Sequence, residues 1–482
     1  MAQSDIVKNY INGELVAPLS GQYLDLYEPA TGAVYSQVAD SGEADVESAF
    51  ESAQAAFSSW SESSSSDRSK VLSRIADLID ENLDMLAEAE ARDNGKPFWL
   101  AKQVDIPRAS SNFRFFAHAA TQFASESHAM PSAINYTLRK PLGVVGAISP
   151  WNLPLYLFSW KIAPALAVGN TVIAKPSEVT PMTAYLLSKI CMEAGLPPGV
   201  LNIVHGQGEQ VGAAMTSHRG IKAISFTGST RVGEEIARVA APMFKKLSLE
   251  MGGKNPNLIF ADCDYEKMLS TTLRSSFANQ GQICLCGSRL LVEASIYDRF
   301  KADFIDRTQQ LTVGHSFDPQ AKLGAIVSKA HYEKVLSYIE LAKAEGGTIL
   351  TGGHAVFPKG YEQGWYIAPT IIEDLPMDCR TNQEEIFGPV VTMMPFTDEA
   401  EALALANNTP YGLSATLWTN DANRIMRLSQ SIEAGIVWVN TWLHRDLRTP
   451  FGGTKSSGVG REGGLEALRF FTEPKNVCVA WG

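Results

Sequence analysis

The chain has 482 residues, 45% hydrophobic and 19% charged, with a formal net charge of −11. That length exceeds a single hydrophobic core and implies two or three domains of ordinary globular composition. The acidic balance gives no general attraction to nucleic acid or to anionic membranes.

The N-terminal stretch MAQSDIVKNYINGELV has no basic segment followed by an apolar run, so no signal peptide is expected. Cys191, Cys263, Cys379 and Cys478 are scattered without paired spacing, which points to a reducing compartment and makes cytoplasm the expected location. The serine run Ser63 to Ser66 leads into a helix. Val71, Leu72, Ile75, Leu78, Ile79 and Leu86 recur at helical spacing until Asn94-Gly95-Lys96-Pro97 ends the pattern. HAMPSAINYTLRK (128–140) alternates like an exposed hairpin, and so does the tail KNVCVAWG (475–482). Lone ribbons fold poorly, so these two are expected to pair with each other or with a neighbouring subunit. The stretch LPLYLFSWKIAPALAVGNTVIA (153–174) is long enough to span a bilayer. Lys161, Pro164 and Gly169-Asn170 interrupt it, and it reads as a buried helix followed by a strand.

From residue 143 the rhythm changes. GVVGAIS (143–149), TVIAK (171–175), LNIVH (201–205), KAISF (222–226) and KKLSLE (245–250) read as short buried strands. Helical segments alternate with them, one opened by Thr180 as cap and Pro181 in its first turn. Such alternation implies an α/β fold with a doubly wound parallel sheet, whose ligands bind at the carboxyl ends of the strands. A second region, about 251 to 440, has strand signals of its own, such as GIVWVN (435–440).

FTGSTRVG (226–233) follows a strand and opens a helix, a natural phosphate seat. GQGEQVG (206–212) has one residue too many for the dinucleotide fingerprint. Either loop alone reads as a tight turn; two within one βαβ series favour a dinucleotide. Lys175 and Glu178 in IAKPSE (173–178) read equally as a solvated pair or as a ribose seat whose carboxylate would repel a 2′-phosphate, favouring NAD over NADP.

FANQGQICLCGSR (277–289) sets Cys284 and Cys286 one residue apart. Metal ligation is a weak reading, because zinc wants four ligands, and no metal is expected. A buried filler is stronger, since cysteine often packs as a small hydrophobe. Against it, Asn279, Gln280, Gly281, Gln282, Gly287, Ser288 and Arg289 make a polar or glycine neighbourhood that suits a reactive thiol in a loop. Glu250 and Asn152 each read as ending a strand on the same sheet edge. There they supply a base and a neutral donor, although each alone reads as solvated or as a turn cap.

SPWNLPL, IAKPSE, FTGST, LEMGGK, FANQGQICLCGSR, EEIFGPV (384–390) and TPFGGTKSSGVGRE (449–462) occur in an order that resembles the NAD(P)-dependent aldehyde dehydrogenase superfamily over nearly the whole chain. Met251, where leucine is usual, is a conservative departure. The resemblance implies an aldehyde dehydrogenase-like α/β fold. Residues 1–127 and 141–249 would form the NAD-binding domain and 250–440 the catalytic domain. An oligomerisation ribbon would comprise 128–140 and 465–482, with 441–464 as a return segment lining the site. It implies a homodimer or homotetramer, Cys284 as nucleophile beside a bystander Cys286, and Glu250 activating the deacylating water. Asn152 and the Cys284 N–H would hold the oxyanion. Trp151, Lys175, Ser177, Glu178, Gly208, Thr227, Gly228, Ser229, Gly233, Glu385 and Phe387 would line the cofactor site.

DIPR (105–108) and RDLRTPFGG (445–453) are similar to the 2-aminomuconate and 2-hydroxymuconate semialdehyde dehydrogenases. The resemblance places Arg108, Arg445 and Trp160 at the substrate, where arginine forks would suit a carboxylate. The competing reading ties both arginines to Asp105 or Asp446, leaving an enzyme for uncharged aromatic or aliphatic aldehydes. A coenzyme A-acylating enzyme would not need Glu250. A non-catalytic relic would tend to have lost Cys284, Glu250 or Asn152.

Overall fold

The computed structural model describes residues 6–481. An eight-stranded sheet runs in the order Glu14–Val16, Asn9–Ile11, Leu201–Ile203, Thr171–Lys175, Val144–Ile148, Ala223–Thr227, Lys246–Glu250 and Gly458–Val459. Its five central strands are parallel, and Thr171–Lys175 and Val144–Ile148 are buried throughout, as strands covered on both faces must be. The chain leaves Val144–Ile148 to one side for the next two strands, then returns to its other side for Ala223–Thr227. That reversal opens a crevice between the loops following these two strands.

A seven-stranded sheet, with the strands Pro256–Ile259, Arg289–Glu293 and Val390–Phe396 in its middle, lies within residues 251–440. The two ribbons pair with each other: Ala133–Pro141 runs antiparallel to Thr472–Ala480 along its whole length, and Ser127–Met130 completes a three-stranded sheet. Residues 464–470 are not ribbon but a helix, whose buried Ala467 and Leu468 join the core beside the Pro154–Ala167 helix. Residues 1–5 and Gly482, the outer ends of the NAD-binding and ribbon readings, lie outside the described residues.

The long helical pattern is two helices. Ser64 caps Ser65–Glu81 by accepting from the Asp67 N–H, the chain breaks at Asn82, and Leu83–Asn94 ends at Gly95 with φ 85°. Pro154–Ala167 is buried on every side because it lies between the sheet and the Ile106–Ala119 helix. One cap differs from expectation. Pro181 sits at the N-cap position itself, and the Thr180 hydroxyl donates to the Trp151 carbonyl (3.3 Å). The free amide of Met182 instead donates to Asp93 (2.8 Å), a partner distant in sequence. Among the described residues no helix is long and apolar enough to cross a membrane.

Candidate active site

The loop carrying Cys284 is built on backbone that most residues avoid. Asn279 and Gln280 are left-handed (φ 51° and 57°), followed by Gly281 at φ 71°. A Cβ on Gly281 would stand 2.0 Å from the Gly388 carbonyl oxygen, so only glycine fits. Gln280 donates to the Ala325 carbonyl (3.0 Å) and accepts from the Gly324 N–H (3.1 Å); Gln282 accepts from the Val327 N–H (3.1 Å). Asn279, Gln280, Gln282 and Arg289 are all buried, which corrects the sequence reading. These polar residues are internal staples that satisfy an irregular buried backbone, not the lining of an open loop. Asn255 Nδ2 holds the carbonyls of Cys284 (2.7 Å) and Cys286 (2.9 Å), and Trp442 Nε1 holds that of Leu285 (2.9 Å).

The clamp leaves Cys284 partly accessible and Cys286 buried. Both border one narrow cavity together with Gly253, Glu385, Phe387 and Gly388. Burial pushes the Cys284 thiol up, the charges of Glu385 and Glu250 add to the shift, and Arg445 opposes it. Burial pushes Cys286 up to about 12. Among the described residues, no cluster of three or more His, Cys, Asp or Glu side chains is placed to hold a metal.

Asn152 does not end the Val144–Ile148 strand but lies beyond it, in the turn before the Pro154–Ala167 helix. It is buried and tied to the thiol loop twice. Its Nδ2 donates to the Gln282 carbonyl (3.0 Å), and its own carbonyl accepts from Asn279 Nδ2 (3.0 Å) and Lys96 Nζ (3.1 Å). Glu250 is the last residue of its strand and only 3% exposed, contrary to a solvated strand end, and neither carboxyl oxygen has a hydrogen-bond partner among the described residues. Burial holds this carboxyl well above the usual carboxylate range; Glu462 adds to the shift, and Lys161, Arg461 and Arg445 oppose it. The return segment closes over it: Gly458 and Val459 pair with Glu250 and Leu249, and a Cβ on Gly452 would come within 2.6 Å of Glu250 Oε1.

The crevice of the eight-stranded sheet gathers most of the cofactor candidates. Thr227 ends its strand and Gly228 follows. Ser229 caps the Thr230–Ala240 helix by accepting from the Val232 N–H (3.4 Å), leaving an exposed helix N-terminus. Gly233 faces inward, where a Cβ would stand 2.1 Å from Met251 Sδ, so it permits close packing of helix on strand. Lys175 is not solvated: its side chain is 3% exposed and its ammonium donates to Glu178 (2.9 Å), whose carboxylate reaches the surface. The Ser177 hydroxyl accepts from the Val179 N–H and so shapes the turn. Gly208 is exposed at the start of a wide helical turn, Gly208–Gly212. The Trp151 ring meets Phe387 edge-on (5.2 Å between centroids), and Glu385 accepts from the Gly253 N–H (2.9 Å).

Arg445, near enough for its charge to act on Cys284 and Glu250, donates from Nη1 to the Tyr156 hydroxyl (2.7 Å), and its guanidinium lies over Phe451 (4.0 Å) and Trp160 (5.1 Å). Arg108 lies over the Tyr156 ring (5.7 Å). Both arginines are half-buried. Trp160 is buried beneath Arg445, so it supports the arginine from below. The acidic partners that could have claimed these arginines are taken: Asp446 is paired to Arg448 (2.6 Å), and Asp105 to the buried Lys96. Among the described residues neither Arg108 nor Arg445 forms an ion pair.

The profile of the aldehyde dehydrogenase family matches residues 16–477. The chain belongs to that family. A curated relative, 2-aminomuconic semialdehyde dehydrogenase of Bos taurus, is 49% identical over 98% of both chains. The 2-hydroxymuconic semialdehyde dehydrogenase of Pseudomonas sp. strain CF600 is 47% identical, covering 98% of this chain and 99% of its own. An aldehyde dehydrogenase from Bacillus cereus, solved as an NAD+ complex, has a TM-score of 0.97 at 38% identity, covering 99% of this chain and 97% of that one.

Within this aldehyde dehydrogenase fold, sequence reasoning missed several site residues. Lys161 donates to Glu462 (2.8 Å) and to Ser225 (3.1 Å), forming a buried polar group whose charges act on Glu250. Residues 161 and 462 are too distant in sequence for pattern to join them. Tyr156 carried a usable signal: it lies one helical turn before Trp160, on the same face.

Proposed function

We propose that the chain oxidises an aldehyde to its carboxylic acid with NAD, through a thioester on Cys284. We further propose that its substrate is a carboxylated semialdehyde of the 2-hydroxymuconic or 2-aminomuconic type. The observation carrying the substrate reading is the convergence of Arg445 and Arg108 on Tyr156, with neither ion-paired to a carboxylate among the described residues. Two guanidiniums held together repel each other unless an anion joins them, and a planar fork matches a carboxylate. The names of the relatives agree.

In the proposed reaction the Cys284 thiolate adds to the carbonyl carbon. The alkoxide formed is held by Asn152 Nδ2 and the Cys284 N–H, which has no acceptor among the described residues. Oxidation of that adduct leaves a thioester. Glu250, whose oxygens have no hydrogen-bond partner among the described residues, takes a proton from water, and the resulting hydroxide adds to the thioester carbon and expels the Cys284 thiolate, freeing the acid. The residues present fit NAD: an exposed helix N-terminus for phosphate, a surface carboxylate braced by a buried lysine for ribose, and Glu385 and Phe387 on the thiol's own cavity. When bound it supplies the two-electron acceptor. Lys175, Glu178, Thr227, Gly228, Ser229, Gly208, Trp151, Glu385 and Phe387 would hold it, with Ser177 and Gly233 shaping their surroundings. We place the enzyme in the cytoplasm as a homodimer or homotetramer. The ribbon leaves Met130, Leu138, Val479 and Trp481 exposed, a surface suited to a second copy.

Two expected outcomes test this reading. Arg445→Ala should lower kcat/KM for a muconic-type semialdehyde by roughly ten- to a hundredfold, the worth of one charge-assisted hydrogen bond. An uncharged aldehyde of similar length should lose only severalfold, since Arg445 also favours the Cys284 thiolate. Equal losses on both substrates would mean that Arg445 does not read a carboxylate, and a broad-specificity enzyme would replace this proposal. The cofactor is tested separately. Glu178 should make NAD at least about tenfold better than NADP in kcat/KM, because a 2′-phosphate beside that carboxylate is repelled and desolvated. Glu178→Ala should narrow the ratio, and higher wild-type efficiency with NADP would refute the ribose seat.

A further inference from the structure

We infer that Tyr156 determines specificity for carboxylated substrates: its hydroxyl aims Arg445 and donates its own proton to the same substrate carboxylate. The inference rests on the carboxylate reading of the mouth given above.

A phenol oxygen can accept and donate at once. Here it accepts from Arg445 Nη1 (2.7 Å), and its own proton has no acceptor among the described residues. The side chain is 7% exposed, buried yet not sealed. Its backbone is fixed: the Tyr156 carbonyl accepts from Asn112 Nδ2 (3.1 Å) and from the Ser159 hydroxyl (2.8 Å). Asn112 stands one turn after Arg108 on the same helix, so the tyrosine is locked to the element that carries the second arginine. Arg108 in turn lies over the ring (5.7 Å). A single side chain therefore orients both guanidiniums, one through its oxygen and one through its ring face. An anion entering between them meets three donors already in place, and little side-chain ordering is left to oppose binding.

The test compares a carboxylated semialdehyde with an uncharged aldehyde of equal length in the full-length enzyme. Tyr156→Phe keeps the ring, its packing and the backbone bonds. It should raise KM for the charged substrate and lower kcat/KM about tenfold, while the neutral substrate changes less than about twofold. Tyr156→Leu, which also removes the ring under Arg108, should lower the charged value further. In the double variant Tyr156→Phe with Arg445→Ala, the tyrosine change should cost less than it does alone, because the arginine it aims is gone. Additive losses, equal losses on both substrates, or an unchanged ratio of charged to neutral efficiency in the two tyrosine variants would each overturn the inference. If Arg445→Ala itself shows no preference for charge, the carboxylate reading fails first. If Arg445→Ala discriminates and Tyr156→Phe does not, only the role of the tyrosine is lost.

Discussion

Cys284→Ala should abolish aldehyde oxidation, by on the order of a thousandfold or more, while NAD binding persists; Cys286→Ala should keep most of the activity. The asymmetry follows from the clamp on the loop. Asn255 and Trp442 hold three successive carbonyls, and the clamped backbone leaves Cys284 accessible but Cys286 only 6% exposed. A buried thiol cannot reach a carbonyl carbon without unfolding the loop. Burial and the Glu385 and Glu250 charges raise the Cys284 thiol, so the thiolate is the minor form at neutral pH. Its fraction grows as pH rises toward that raised value, and kcat/KM should climb from neutral into alkaline solution. Steady-state rates and NAD titration by fluorescence check the pair of variants. Equal loss from both changes would remove Cys284 from its assigned role.

Glu250→Gln should complete one turnover of NADH and then stall, with kcat down about 10²- to 10⁴-fold. The isostere keeps size and cannot take a proton from water, so the thioester forms and persists. Rapid mixing would show a burst of one equivalent per site followed by a slow phase. The pH profile supplies a second reading with a definite sign. Burial and Glu462 raise the Glu250 carboxyl, so at low pH it is protonated and cannot act as base. Wild-type kcat should therefore rise as pH increases through the raised value, and the Gln variant should lose that limb. Loss of the burst itself would place Glu250 before the thioester, or in folding.

The sequence by itself determined the parallel sheet and its ligand edge. Strand and helix periodicity are local properties, and buried strands such as TVIAK declare themselves by composition. It also determined the family, because Cys284, Glu250 and Asn152 each sit in a short contiguous motif. Polarity misled where it was read as exposure. Asn279, Gln280, Gln282 and Glu250 are buried, and only the folded chain shows the carbonyls and amides that pay for the first three. The cap on Met182 comes from Asp93, and the lysine near Glu250 is paired with Glu462; neither link has a local signature. The clearest case is the pair of arginines. The sequence left Arg108 and Arg445 between surface pairing and carboxylate binding, since charges close in sequence suit either. Tertiary structure removed the surface-pairing reading by giving Asp105 to Lys96 and Asp446 to Arg448, and it set Tyr156 against two arginines hundreds of residues apart, which is the ground of the carboxylate proposal. Ion pairing depends on three-dimensional distance and desolvation, and neither is a property of sequence neighbours.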